Sequence, residues 1–184
     1  MKFPFILVYI ISSFLFSSSI CKKVWKTSDG NSPVLIAHRG EKVLLPEHTI
    51  PAYSLGAILG ADFVEPDLCL TKDDQLVCHH DLYLTASNTD VGSRANFEHL
   101  KQHTPTGFKW YIQNFTLQEL QTIKIFQKDT GIRPKEFNGI FSIPTFQEFL
   151  DTIHDLNYKL GRSIGIAPEL KEPAYHNSNR RPHF

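Results

Sequence analysis

The chain has 184 residues, with 19 lysines and arginines balanced by 19 aspartates and glutamates. That length suits one domain around a single core, because domains commonly run about 100–150 residues. Neither charge sign forms a long block, which excludes the electrostatic footprint of a nucleic-acid binder and points to a small-molecule partner. Residues 3–16 are almost wholly apolar, and Ser17-Ser18-Ser19 and Lys22-Lys23 follow them. This pattern reads as a secretory signal peptide over residues 1–21. The apolar run is shorter than the roughly 20 residues of a membrane span, so cleavage with no stable span is expected. The mature chain is then secreted, or periplasmic in a bacterium, where Cys69 and Cys78 either pair or stay as two buried thiols.

Pro33 to Ala37 reads as a short buried strand with His38-Arg39-Gly40 at its C-terminal tip. A helix follows: Thr49 caps it, Pro51 suits its first turn, Ala52, Leu55, Ile58 and Leu59 recur at helical spacing, and Gly60 stops it. The strand Phe63 to Leu70 alternates, which puts Glu65 and Asp67 on one face, although Pro66 cannot donate to a ladder. Strand, helix and strand in this order make a βαβ unit with a parallel sheet, and inward carboxylates favour a barrel. Residues 71–80 look like a hairpin return. If Asp73-Asp74 is a two-residue turn, Cys69 faces Cys78 and Asp67 faces His80, a register that one residue of slip would break.

Residues 82–139 are polar and rich in His, Thr and Asn, with one helix signal at Thr116-x-x-Glu119 ahead of Leu120 and Ile123. The stretch is too long for a connection and is expected to be an insertion over the mouth of the barrel. Thr145-x-x-Glu148 opens an amphipathic helix carrying Phe146, Phe149, Leu150, Ile153 and Leu156, closed near Gly161. A last strand runs from Ser163 to Lys171 with small Gly165 and Ala167 on the parity of Glu169 and Lys171, and residues 177–184 read as an irregular tail.

Six pieces then fall in one order: Ile36-Ala37-His38-Arg39-Gly40, Pro46-Glu47-His48-Thr49, Gly60-Ala61-Asp62 with Glu65-Pro66-Asp67, Thr71-Lys72-Asp73, His80-Asp81, and Pro168-Glu169-Leu170-Lys171. As a set they resemble the glycerophosphodiester phosphodiesterase family, of the secreted or periplasmic type with a long insertion, from Val34 to His176. His48 stands where that family most often has asparagine. The resemblance implies an α/β fold, a TIM-type (β/α)8 barrel whose partial domain occupies residues 33–176. Such a barrel needs about 250 residues. Three strands are counted here, with a fourth near Ile140, so the chain is expected to supply the N-terminal half of a truncated barrel.

The chemistry follows from what a phosphodiester requires: charge neutralisation, an activated nucleophile and an acid for the leaving alkoxide. Glu65, Asp67 and Glu169 are hard oxygen ligands for one divalent cation, Ca²⁺ or Mg²⁺, and nothing resembles a zinc site. His38 and His80 are the acid and base, an assignment the resemblance also carries. Arg39 and Lys171 would bind phosphate oxygens, and Glu47 either contacts substrate or favours a helix N-terminus. The implied reaction is hydrolysis of a glycerophosphodiester to an alcohol and glycerol 3-phosphate. Two alternatives stay open: a secreted non-catalytic fragment, and a related barrel phospholipase acting on sphingomyelin or lysolipids. Thr71, Asp73 and Asp81 are explained by turn formation, while His79, His99, His103 and His154 are expected on the surface.

Overall fold

In the computed structural model residues 30–179 are described, and the architecture below is that of the unit from Val34 onward. The leader expected at residues 1–21 and the end of the tail lie outside the described residues. The first strand, β1 (Ile36–His38), pairs in parallel with β2 (Phe63–Glu65), setting His38 opposite Glu65. Between them runs α1 (Ile50–Ile58). Thr49 is its N-cap, accepting from the Ala52 N–H at 3.3 Å, and Pro51 sits in the first turn where no N–H is needed. At its other end Arg162 donates to the carbonyl of Ala57 in the last turn and to that of Ala61 beyond it, at 2.7 and 2.6 Å.

The strand read as Phe63 to Leu70 is divided at Pro66 into β2 and β3 (Asp67–Leu70), and its parallel neighbour is divided likewise into β8 (Gly165–Ile166) and β9 (Glu169–Leu170). Hydrogen bonds nonetheless run across both breaks. The N–H groups of Gly165, Ala167, Glu169 and Lys171 donate to the carbonyls of Asp62, Val64, Pro66 and Leu68. Pro168 lies between two of those donors and so faces the other edge, where it removes no rung, whereas Pro66 gives one up. The result places Asp67 opposite Glu169. Near Ile140, where a further strand was expected, the described residues show only isolated bridges, Lys124 with Ser142 and Val77 with Thr145.

Two other expectations are corrected. β1 is not buried: Ile36 is 51% exposed and Val34 and Leu35 more so, because β2 is the strand's sole hydrogen-bonded neighbour among the described residues. The hairpin turn holds three residues rather than two. Thr71 and Asp74 close a tight turn, and Asp74 then takes φ 58 before the chain rejoins the ladder at Gln75. The extra residue shifts the pairing of β3 with β4 (Leu76–Cys78) by one, so that Leu68 faces Cys78 and Cys69 faces Val77. Asp67 then stands across from His79, whose N–H donates to the Asp67 carbonyl at 3.0 Å, and not from His80.

A period of two sends Cys69 and Cys78 to opposite faces of the hairpin, each into a different core. Both are free thiols, and burial pushes each up to about 12. Mass spectrometry should therefore find no Cys69–Cys78 bridge, and alkylation at neutral pH should label these two sites only after denaturation. A bridged peptide from protein kept non-reducing would contradict the register.

One core lies between α1 and α3 (Phe146–Leu160), where Tyr53 meets Phe149 edge-on at 4.7 Å with Val64, Leu68, Ile153 and Ile164 around them. Helix α3 has the bounds its sequence implies. Thr145 and Glu148 exchange capping-box bonds at 2.7 and 3.0 Å, and Gly161 closes it at φ 59. The second core belongs to the stretch read as a polar insertion. Leu84, Val91, Phe97, Trp110, Phe115 and Leu120 pack there against Cys69 and Val77. Around them are an antiparallel sheet of β5 (Tyr83–Leu84), β7 (Gly107–Tyr111) and β6 (Gln102–Thr104), short 3₁₀ turns, and α2 (Leu117–Thr122) with its own Thr116–Glu119 capping box. Helix α4 (Pro173–Asn179) covers the first residues of the segment expected to be irregular. Among the described residues no helix is long and apolar enough to cross a membrane.

Candidate active site

The parallel strands bring their acids to one end. His38 closes β1, Glu65 closes β2, and Asp67 and Glu169 sit side by side on β3 and β9. One oxygen from each of Glu65, Asp67 and Glu169 lies within 4.8 Å of the others. Glu65 and Asp67 are buried, while the Glu169 side chain is 56% exposed. Burial and the charge of Asp67 raise the Glu65 carboxyl to about 7. Burial works against Asp67 as well, but the His48 hydrogen bond, Lys171 and Arg39 outweigh it and hold that carboxyl well below the usual range. His48 itself is kept neutral by burial, at about 4. Arg39 and Lys171 thus provide the positive charge facing Asp67.

Asp67 Oδ1 is buried without a hydrogen-bond partner, in a cluster of hard oxygen donors where burial and the charge of Asp67 push the Glu65 carboxyl up. An orphaned carboxylate oxygen among carboxylates that repel one another is the surrounding a divalent cation relieves, so these residues fit the ion expected from their chemistry.

Arg39 is drawn into this centre by its backbone and its side chain. It takes φ 65, and its N–H donates to Glu65 Oε2 at 2.9 Å. The guanidinium puts Nε 3.2 Å from Asp67 Oδ2 and donates from Nη1 to Glu47 Oε1 at 3.3 Å. Glu47 accordingly serves Arg39 rather than α1, whose first turn holds no acid. Burial opposes the charge on Glu47, yet Arg39 and its neighbours keep the carboxyl below its ordinary value. Lys171 reaches Glu169 Oε1 at 2.7 Å and Asp67 Oδ1 at 3.5 Å.

His38 is half-exposed, with Nε2 4.0 Å from Glu65 Oε2. Its Nδ1 meets Lys42 Nζ at 2.9 Å, and partial burial together with Lys42 and Arg39 lowers its pKa. Lys42 therefore favours the tautomer with the proton on Nε2. His80 pairs with Asp81 Oδ1 at 2.9 Å, and among the described residues no hydrogen bond or ion pair joins it to the acidic cluster. His79, expected on the surface, is buried: the register shift turns it inward, where its Nδ1 meets the Asp81 carbonyl at 2.8 Å. Thr71 and Asp73 have the turn role expected of them, with Thr71 Oγ1 donating to Asp73 Oδ1 at 2.6 Å.

Two residues at the site were not read from the sequence as working parts. His48 is buried against Asp67, and its place inside Pro46-Glu47-His48-Thr49 was the available signal. Arg133 sits 4.0 Å from Glu47 Oε2 and leaves Nη1 buried without a hydrogen bond. It arrives from more than eighty positions along the chain, and no local pattern marks it.

Residues 38–182 match the model of the glycerophosphoryl diester phosphodiesterase family. A glycerophosphodiester phosphodiesterase of Haemophilus influenzae is 32% identical over 172 residues, covering 88% of this chain and 46% of the relative. One from Arabidopsis thaliana is 38% identical over 162 residues, covering 85% of this chain and 41% of the relative. Among solved structures, that of a glycerophosphoryl diester phosphodiesterase from Silicibacter pomeroyi superposes with a TM-score of 0.59 at 20% identity, over 78% of this chain and 47% of that one. An Oleispira antarctica phosphodiesterase, solved with the product sn-glycerol-3-phosphate, gives 0.53 at 27% identity over 76% and 44%. The chain thus spans about half the length of the relatives it matches, with the α/β architecture of an N-terminal half of a (β/α)8 barrel.

Proposed function

This chain belongs to the glycerophosphoryl diester phosphodiesterase family, and we propose that its acidic centre serves the metal-dependent hydrolysis of glycerophosphodiesters to an alcohol and glycerol 3-phosphate. The observation that carries this reading is the convergence of Glu65, Asp67 and Glu169, with Asp67 Oδ1 buried and without a hydrogen-bond partner. These three residues would hold Mg²⁺ or Ca²⁺. Such an ion, when bound, neutralises phosphate charge and polarises the phosphoryl group. Arg39 and Lys171, already beside the cluster, present a guanidinium and an ammonium to phosphate oxygens. His38, with its proton directed to Nε2 by Lys42, stands beside Glu65 as one acid–base group. The family resemblance assigns the complementary role to His80, whose imidazole Asp81 orients. The product bound to the Oleispira antarctica phosphodiesterase supports glycerol 3-phosphate as the part retained in the site. The apolar run at residues 3–16 supports export of the mature chain.

The deciding assay is glycerol 3-phosphate release from glycerophosphocholine, with and without a chelator, by the chain and by Glu65→Ala. Activity should vanish on chelation, return with Mg²⁺ or Ca²⁺, and fall by more than about 100-fold in the variant, since changes outside the ligand set already cost about 10–100-fold. Release that chelation leaves untouched would refute the metal dependence. No release from protein verified as folded would move the reading to the non-catalytic alternative.

A further inference from the structure

The two oxygens of Asp67 have different surroundings. Oδ2 meets His48 Nε2 at 2.9 Å and Arg39 Nε at 3.2 Å. Oδ1, equally buried, has no hydrogen-bond partner and faces the Lys171 ammonium at 3.5 Å. A carboxylate that served packing alone would be satisfied at both oxygens, because buried polar atoms are nearly always paired.

The group holding Oδ2 is itself held. His48 is buried, and its second ring nitrogen, Nδ1, lies 2.7 Å from the Tyr53 hydroxyl. A neutral imidazole between a carboxylate and a phenol satisfies both in one tautomer, with Nε2–H donating to Asp67 and Nδ1 accepting from Tyr53 O–H. Tyr53 is fully buried on α1, where its ring meets Phe149 edge-on. The backbone adds a further restraint. His48 adopts φ 58 and its N–H donates to the carbonyl of Arg39, which is also left-handed at φ 65. One short loop therefore sets both groups that contact Oδ2.

We propose that Tyr53 and His48 form the positioning pair of the cation site: from behind, they hold Asp67 by Oδ2 so that Oδ1 is presented beside Glu65 and Glu169 for a divalent ion. This rests on the metal reading of the acidic centre. The core between α1 and α3 thereby reaches the site through two hydrogen bonds. Outer groups of this kind fix a ligand's orientation and basicity, and losing one typically weakens metal binding about 10–100-fold.

Calorimetric titration of Mg²⁺, and separately Ca²⁺, into the full chain and three variants tests the proposal, with melting temperatures taken in the absence of ion. His48→Ala should weaken the ion by roughly 10–100-fold. His48→Asn, whose amide restores an N–H donor and whose side chain tolerates the left-handed backbone, should recover most of that loss. Tyr53→Phe keeps the ring contact with Phe149 and should weaken binding in the same direction by a smaller factor. Unchanged dissociation constants with lower melting temperatures would overturn the proposal, since that is the mark of a merely structural role. Should His48→Ala fail to fold, Tyr53→Phe decides alone: weaker binding supports the pair and equal binding overturns it. Wild-type chain that binds neither ion would refute the metal centre itself, an outcome distinct from an ion bound equally well by every variant.

Discussion

Gly40→Ala should lower the melting temperature by roughly ten degrees and disrupt the site with it. A Cβ at position 40 would lie 2.5 Å from the Ala52 carbonyl carbon, 2.7 Å from its oxygen and 2.7 Å from the Tyr53 nitrogen. All three are backbone atoms of α1, so no side chain can swing aside. The backbone at Gly40 also takes φ 79, in the region that side chains penalise. Strain of this kind costs about 1–3 kcal/mol and overpacking about another 1–3 kcal/mol. For a chain of this size each kcal/mol moves the melting temperature by about 2–4 °C. The neighbouring contact shows what would be displaced: Glu41 N–H donates to the Ala52 carbonyl at 2.8 Å, fixing the His38–Arg39 segment against the helix. Gly161→Ala is the matched control, with φ 59 and nothing within 4 Å of the added carbon. Equal melting temperatures for the two variants would show that the close approach at Gly40 is not rigid.

Asp67→Asn should abolish stabilisation by divalent cations. At a free ion concentration about 100 times the dissociation constant, binding adds roughly 2.7 kcal/mol to the folded state, or about 5–10 °C for a chain of this length. The amide keeps the shape of Asp67 but withdraws the one fully buried anion of the acidic trio. Its loss also leaves Arg39, whose side chain is 13% exposed, with Glu47 as its remaining anionic partner, so the ion-free protein should melt lower as well. Differential scanning fluorimetry with a series of Mg²⁺ and Ca²⁺ concentrations reads both effects. A cation-dependent rise that survives in Asp67→Asn would mean that the ion binds elsewhere.

The parts of this architecture that were legible in the sequence are those fixed by neighbours. Thr145 and Glu148 lie three positions apart and close their capping box within one turn, so α3 could be read to its ends. The acidic trio was likewise visible: a period of two puts Glu65 and Asp67 on one face, and Pro168-Glu169 stands where the family resemblance places a third acid. The hairpin register was not. It depended on Asp74 adopting a left-handed backbone, which lengthened the turn by one residue, and one residue moves every side chain to the other face. The insertion's core escaped for another reason. Val91, Phe97, Ile112 and Phe115 are carried by short 3₁₀ turns and their flanks, which show neither the helical period nor alternation. Arg133 is beyond any local reading, since its partner Glu47 is set by tertiary placement alone.

The β3–β4 hairpin is a party wall: Leu68 and Cys78 furnish one room, Cys69 and Val77 the other. Residues 82–139 consequently cannot be treated as a detachable module. Excising them would strip the plaster from one side of the strand that carries Asp67, and grafting them onto another scaffold would require taking the wall along. In an evolving lineage the two sides of that wall must change in step. A substitution beneath Trp110 or Phe97 is felt at Cys69, two residues from the carboxylate on which the acidic centre depends.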